Sequence, residues 1–218
     1  NAASWFDLVA ELNQALLGMP IAGKAIDFGA LPCGYTPVDL DTFAMDNSGT
    51  AKEGVGRTYT GVDGYCPLAA YLGTQGYCLE LALRPGVQHS ASGTQLDLKR
   101  IVPMAQRLSA GGGKAPILVR LDAGFDSADL MREMAACNSA GLPRVDWLIK
   151  WNPRKTEVAT LAALLDANQA TRWQHPRAGK RVTVWDEQVR IEGFERPMRR
   201  VMRLTERTID AKGQLLIE

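Results

Sequence analysis

Apolar residues recur near helical spacing at the start of the chain: Trp5, Leu8, Val9, Leu12, Leu16 and Leu17 predict a helix over 4–17. Ser4 followed by Asp7 resembles a capping box at its start. A Gly/Pro-rich loop runs to about Pro37, and 38–45 then reads as a strand. A polar, glycine-containing stretch (46–63) separates it from two strand-like runs, 65–72 and 77–83. The four residues Gly73, Thr74, Gln75 and Gly76 between those runs indicate a hairpin.

Beyond residue 90 the period changes. Leu96, Leu98, Ile101, Val102, Ala105 and Leu108 mark a helical face over 92–108 that contains Pro103, closed by Gly111, Gly112 and Gly113. Residues 117–122 form a short apolar run of the buried-strand type. Asp126 or Ser127 can cap a helix reaching Ala140, with Gly141 as its stop, and 145–151 reads as a further strand. The order predicts a mixed α+β domain with a five-stranded mixed sheet and helices on its faces. Past Pro153 come a helix over 156–167, strands over 181–191 and 198–205, and a hairpin over 209–218 turning at Lys212 and Gly213. The expected divisions are an N-terminal helix and loop (1–36), the sheet domain (37–151) and a β-rich segment (152–218).

Composition narrows the class. At 218 residues with 46% hydrophobic and 22% charged residues, the chain suits a globular domain rather than a disordered or fibrous one. No apolar run nears the roughly 20 residues that span a bilayer. The first 17 residues read as amphipathic rather than as a basic start followed by an apolar block, so no secretion signal is expected. The chain begins Asn-Ala without an initiator methionine, as a segment excised from a longer protein would. Cys33, Cys66, Cys78 and Cys137 are scattered, which favours free thiols over a disulfide framework. With His89 and His175 as its only histidines, zinc ligation is poorly supported. Charge is uneven: 1–150 hold 12 Lys/Arg against 15 Asp/Glu, and 151–218 hold 13 against 9. That asymmetry suits an acidic metal site joined to a basic, phosphate-facing surface, and equally an ordinary solvated face.

The chemistry-bearing candidates are carboxylates on strands. Period-two geometry puts Asp39, Asp41, Phe43 and Met45 on one face, and two acids sharing a mid-strand face are expensive to bury without a cation. Asp122 closes the 117–121 strand at the carboxyl edge, where open α/β sheets place ligands. Carboxylates converging there suit hard divalent cations, and two such ions serve in-line phosphoryl displacement. The plainer alternatives are that Asp122 caps a turn or helix and that Asp39 and Asp41 are surface residues.

An ordered set of short motifs adds to this. It starts with Val38-Asp39-Leu40-Asp41-Thr42, Asp46-Asn47-Ser48-Gly49-Thr50 and Lys52-Glu53-Gly54-Val55. Thr58-Tyr59, Gly64-Tyr65, Pro67, Tyr71-Leu72-Gly73 and Leu83-Arg84-Pro85-Gly86 with His89-Ser90 follow. It ends at Leu118-Val119-Arg120-Leu121-Asp122-Ala123-Gly124-Phe125-Asp126-Ser127. Over roughly 37–150 the chain thereby resembles DDE transposases of bacterial insertion sequences, most closely the branch called DDE transposase group one. The resemblance implies an RNase H-like core whose three acidic residues bind Mg²⁺ or Mn²⁺ for cleavage and strand transfer of transposon-end DNA. It gives the first metal-binding, catalytic role to Asp41, with Asp39 as the alternative, and the second to Asp122. Transposon-end and target DNA, a homodimer on DNA, and a bacterial cytoplasmic, nucleoid-associated location without membrane contact are implied with it.

The third acid of such proteins is a Glu on a helix after the final strand, and after a β-rich insertion where one is present. Residues 152–218 resemble that insertion, cut off before the Glu-bearing helix. Glu133 comes too early, and Glu187, Glu192, Glu195 and Glu206 fall in strand-like segments. The chain by itself is therefore expected to be weakly active or inactive. The competing expectations are a DNA-binding transposase remnant without catalysis and a stand-alone RNase H-like nuclease. His89 reads as a loop hydrogen-bonder or a catalytic group; Lys52, Arg57 and Lys150 as phosphate contacts or solvated surface; Trp147, Trp151, Trp173 and Trp185 as core. Arg196, Arg199, Arg200, Arg203 and Arg207 make the densest basic cluster, but alternation spreads them over two faces of a strand, which argues against one DNA-facing stripe.

Overall fold

The computed structural model describes residues 2–21, 23–111, 115–153, 156–167, 173–210 and 212–215. It divides into two units, Asn1–Asn152 and Pro153–Glu218. In the first, α1 (Ala2–Gly18) begins two residues before Ser4, so Ser4 is not at the cap position. The chain then forms β1 (Thr36–Thr42) and the two-residue strands β2 (Met45–Asp46) and β3 (Gly56–Arg57). The strands β4 (Asp63–Tyr65), β5 (Leu68–Leu72) and β6 (Tyr77–Ala82) follow. Next come α2 (Thr94–Gly111), β7 (Ile117–Leu121), α3 (Ala128–Ala136) and β8 (Val145–Ile149). Helix α2 carries Pro103 without ending, while Gly112 and Gly113, the expected stop, lie outside the described residues.

Five strands form one sheet in the order β6-β5-β1-β7-β8. Strand β5 pairs antiparallel with both β1 and β6, and β7 runs parallel to both β1 and β8. Three antiparallel strands followed by two parallel crossovers, with β1 at the centre, is the RNase H-like arrangement. Alternation on β1 explains its position. Val38 and Leu40 are buried and join a core cluster with Ile117 and Val119 of β7, Leu98, Ile101 and Val102 of α2, and Leu130 and Met134 of α3. Gln106 of α2 is almost wholly buried, and its amide donates to the carbonyls of Cys137 and Pro143, tying α2 to the connection that leads into β8. The opposite sheet face carries Asp39, Arg120 and Tyr71, in register across β7, β1 and β5.

The stretch over 46–63, expected to be irregular, folds into a small sheet in the order β2-β4-β3. Two glycines make it possible. A Cβ on Gly64 would lie 1.9 Å from the Met45 carbonyl oxygen. One on Gly86 would lie 2.1 Å from the Gly64 carbonyl oxygen and 2.3 Å from that of Gly56. The segment at Gly86 thus stacks directly on the small sheet, with its N–H donating to the Gly54 carbonyl at 3.0 Å. Backbone cannot give way as a side-chain tip can, so Gly86→Ala is expected to cost about 3 kcal/mol. Urea unfolding checks this, and a cost below about 1 kcal/mol would mean that the close approach is not maintained.

The second unit contains α4 (Val158–Ala167), β9 (Gln174–Arg177), β10 (Lys180–Val189) and β11 (Met198–Arg207), the strands pairing in the order β11-β10-β9. Trp185, Met202, Val182 and Thr183 are buried there. Past it, Ile209 bridges to Leu215 where the terminal hairpin was expected; residues 211 and 216–218 of that hairpin lie outside the described ones. No described helix is long and apolar enough to cross a membrane.

Candidate functional site

The parallel register of β1 and β7 places the carboxylates. Asp39 lies opposite Arg120, so two residues further on Asp41 falls beside Asp122 at the carboxyl ends of both strands. The Asp39 carboxylate receives two hydrogen bonds from the Arg120 guanidinium, each 2.6 Å, and this interaction pushes the Arg120 pKa up. Asp39 is therefore satisfied by an in-plane cation. Asp41 has no ion pair among the described residues; its Oδ1 accepts from the Thr42 N–H at 2.8 Å. Burial raises the Asp41 pKa, the Thr42 N–H opposes the shift, and the Asp122 charge adds to it.

Asp122 caps a 3₁₀ turn over Ala123–Phe125, its Oδ1 accepting from the Gly124 N–H at 2.8 Å. This is the cap its strand-end position suggested, and it leaves Oδ2 without a hydrogen bond among the described residues. Capping and cation binding are thus compatible in one carboxylate. Gly124 is closely hemmed in: a Cβ there would sit 3.0 Å from Ser90 Oγ and 3.1 Å from Asp122 Oδ1. Asp126 accepts instead from the Asn152 N–H at 3.0 Å, and Ser127 occupies the cap position of α3 without a side-chain hydrogen bond.

An open cleft of about 520 Å³ lies over the two aspartates. Its rim includes Arg57, Tyr59, Gly86, His89 and Ser90. Ser90 and Thr42 share a hydrogen bond of 2.8 Å between their hydroxyls, which joins the loop after β6 to the end of β1. His89 Nδ1 accepts from the Ala91 N–H at 3.2 Å, the loop bond its position suggested, and His89 also lines the cleft. Arg57 is exposed and reaches Asp63 at 3.5 Å. Lys52 and Lys150 do not line this cleft.

Arg84 holds this wall in place, a role that pattern reading did not assign. It is 5% exposed, and its guanidinium donates to the carbonyls of His89, Ser90 and Ser92 at 2.8, 3.2 and 2.6 Å. It also reaches Thr94 Oγ1 at 3.4 Å. Burial lowers the Arg84 pKa, partly offset by Asp97. The available signal was an arginine ending an apolar strand directly before Pro85-Gly86. A residue there that carries a cation into the interior must recruit carbonyls or acids.

The structure does not assemble a third acid at the cleft: no group of three His, Cys, Asp or Glu suited to a metal ion occurs among the described residues. Glu133 meets Lys99 at 3.7 Å, Glu206 pairs with Arg181 at 2.5 Å, and Glu187 pairs with Arg200. Glu192 and Glu195 belong to the second unit. All four cysteines are free thiols. Of the tryptophans, Trp185 is buried, Trp147 packs against the core, and Trp173 lies beneath the Arg181 guanidinium.

The chain matches no protein-family model and no curated protein. Among solved structures it is similar to piggyBac transposase, seen by cryo-EM in a synaptic complex with hairpin DNA, at 11% identity and a TM-score of 0.32. The likeness covers 77% of this chain and 36% of that one, so the chain spans about a third of that protein's length.

Proposed function

We propose that this chain is the core of a DDE-type DNA transposase, in which Asp41 and Asp122 hold a divalent cation, Mg²⁺ or Mn²⁺, for cleavage and strand transfer of transposon-end DNA. One observation carries the reading: two carboxylates stand side by side at the carboxyl ends of neighbouring parallel strands, and neither has an ion-pair partner among the described residues. The donor set fits the group, since carboxylate oxygens are the ligands hard divalent cations take. When bound, such an ion lowers the pKa of water and stabilises charge on a phosphoryl group. The chain's own residues do the rest. Asp41 and Asp122 supply the negative charge, the Thr42–Ser90 pair fixes the wall, and Arg57 with His89 offers donors to phosphate oxygens at the rim. Transposon-end and target DNA are the partners in this reading. A homodimer on DNA and a bacterial cytoplasmic setting come with it, by resemblance alone.

A second reading, DNA binding without catalysis, is favoured by the absence of a third acid at the cleft among the described residues. The same observation weighs against a stand-alone nuclease. Calorimetric titration with Mn²⁺ or Mg²⁺ decides between the first two. Weak binding that both Asp41→Ala and Asp122→Ala abolish, with the fold intact, supports the metal site and leaves this chain weakly active or inactive alone. No binding at millimolar ion, together with salt-dependent DNA binding, favours the second reading.

A further inference from the structure

Pairing divides the basic cluster of the second unit, and three of its five arginines share one face. Arg196 precedes β11, and Arg200 pairs with Glu187 on the side that buries Trp185 and Met202. The register puts Arg199, Arg203 and Arg207 together on the other side, opposite Gln188, Val184 and Lys180. Val184 and Val201 are 57% and 56% exposed there, so the face is open around Arg203, while Val182, opposite Thr205 on the same face, is buried. Lys180 also pairs across to Arg177, so Arg177, Lys180 and Arg207 stand in one row over three adjacent strands. The nearest acid on the face, Asp186, is held by Arg199 at 2.9 Å. Lys180, Arg203 and Arg207 form no ion pair among the described residues. Like charges directly opposite in a sheet oppose its formation, and a polyanion lying across the row relieves that repulsion.

We propose that the open face of β10 and β11 is a docking surface for the phosphate backbone of duplex DNA, with Lys180, Arg203 and Arg207 as its contacts. Guanidinium groups fork onto phosphate oxygens, and such contacts position a duplex without reading its sequence. Anchoring to a lipid surface takes Trp, Phe or Leu on the same face, whereas the exposed apolar residues described here are two valines. The surface lies in the second unit and stands independently of the carboxylate cleft.

The test is binding of the whole chain to a 30-base-pair duplex by fluorescence anisotropy across a series of NaCl concentrations. Arg203→Gln/Arg207→Gln is expected to reduce the slope of log affinity against log salt by about 2, and to weaken binding on the order of 50-fold at 0.1 M salt. Arg203→Lys/Arg207→Lys keeps both charges and is expected to keep the slope, which guards against misreading a folding defect. Lys99→Gln/Arg181→Gln removes equal charge elsewhere and is expected to leave it unchanged. An unaltered slope in the double Gln variant overturns the proposal. So does an equal fall in the Lys99/Arg181 pair, which would mean net charge alone, and so does loss of phosphatidylserine-vesicle capture with duplex binding intact. Asp41→Asn is expected to keep the slope while losing Mn²⁺ binding, so failure at the cleft and failure at this face are distinguishable.

Discussion

Arg84→Met is expected to destabilise the first unit by about 4 kcal/mol, moving its melting temperature down by roughly 8–16 °C. Methionine fills much of the same volume, so the loss is not a packing loss. It comes from three backbone carbonyls, those of His89, Ser90 and Ser92, that give up their donor in a place where water does not readily replace it. Arg84→Lys is expected to recover only part of the loss. An ammonium carries its charge at one point, whereas the guanidinium spreads donors over a planar fork that reaches all three carbonyls and Thr94 Oγ1. The consequence extends to the cleft, because Ser90 bonds Thr42 beside Asp41 and the same loop presents His89. Thermal unfolding followed by near-ultraviolet circular dichroism measures the effect. A loss under 1 kcal/mol would show that the loop is held by the Gly86 stack rather than by Arg84.

Much of the architecture could be read from residue periodicity, and the exceptions have physical causes. The strands β1, β5, β6, β7 and β8 each bury alternate or continuous apolar residues, so the pattern locates them and their order gives the mixed sheet. The two-residue strands β2 and β3 are too short to hold a period, and what specifies them is glycine: Gly64 and Gly86 permit an approach that any side chain forbids. Alternation cannot separate Asp39 from Asp41, because both point the same way. The separation comes from the neighbouring strand, where Arg120 precedes Asp122 by the same two residues that part Asp39 from Asp41. The arginines of β11 pose the same problem in reverse. Their division between faces is visible in sequence, but which face is buried depends on Trp185 and Met202 meeting across the pair.

Asp41→Asn is expected to stabilise the protein slightly at pH 7 while abolishing its response to divalent cations. Burial and the neighbouring Asp122 charge both raise the Asp41 pKa in the fold, so the folded state holds its proton more tightly than the unfolded chain does. Stability therefore falls as pH rises from the ordinary carboxylate range, near 4, through the raised value, and is level above it. Asparagine does not ionise and escapes that loss. The variant is expected to melt about 1–2 °C above the parent at pH 7 and level with it at pH 3, the small size reflecting how much of the carboxylate faces solvent. Mn²⁺ reverses the ranking. At about ten times its dissociation constant, an ion bound only by the folded state adds about 1.4 kcal/mol, or roughly 3–6 °C, to the parent and nothing to the variant. Melting curves at pH 3 and 7, with and without Mn²⁺, test both parts. A variant that melts below the parent at pH 7 without metal would mean that Asp41 is a stabilising surface group and the cleft no cation site. A paired rise and loss would identify Asp41 as a residue whose charge is tolerated in the fold because a cation is there to meet it.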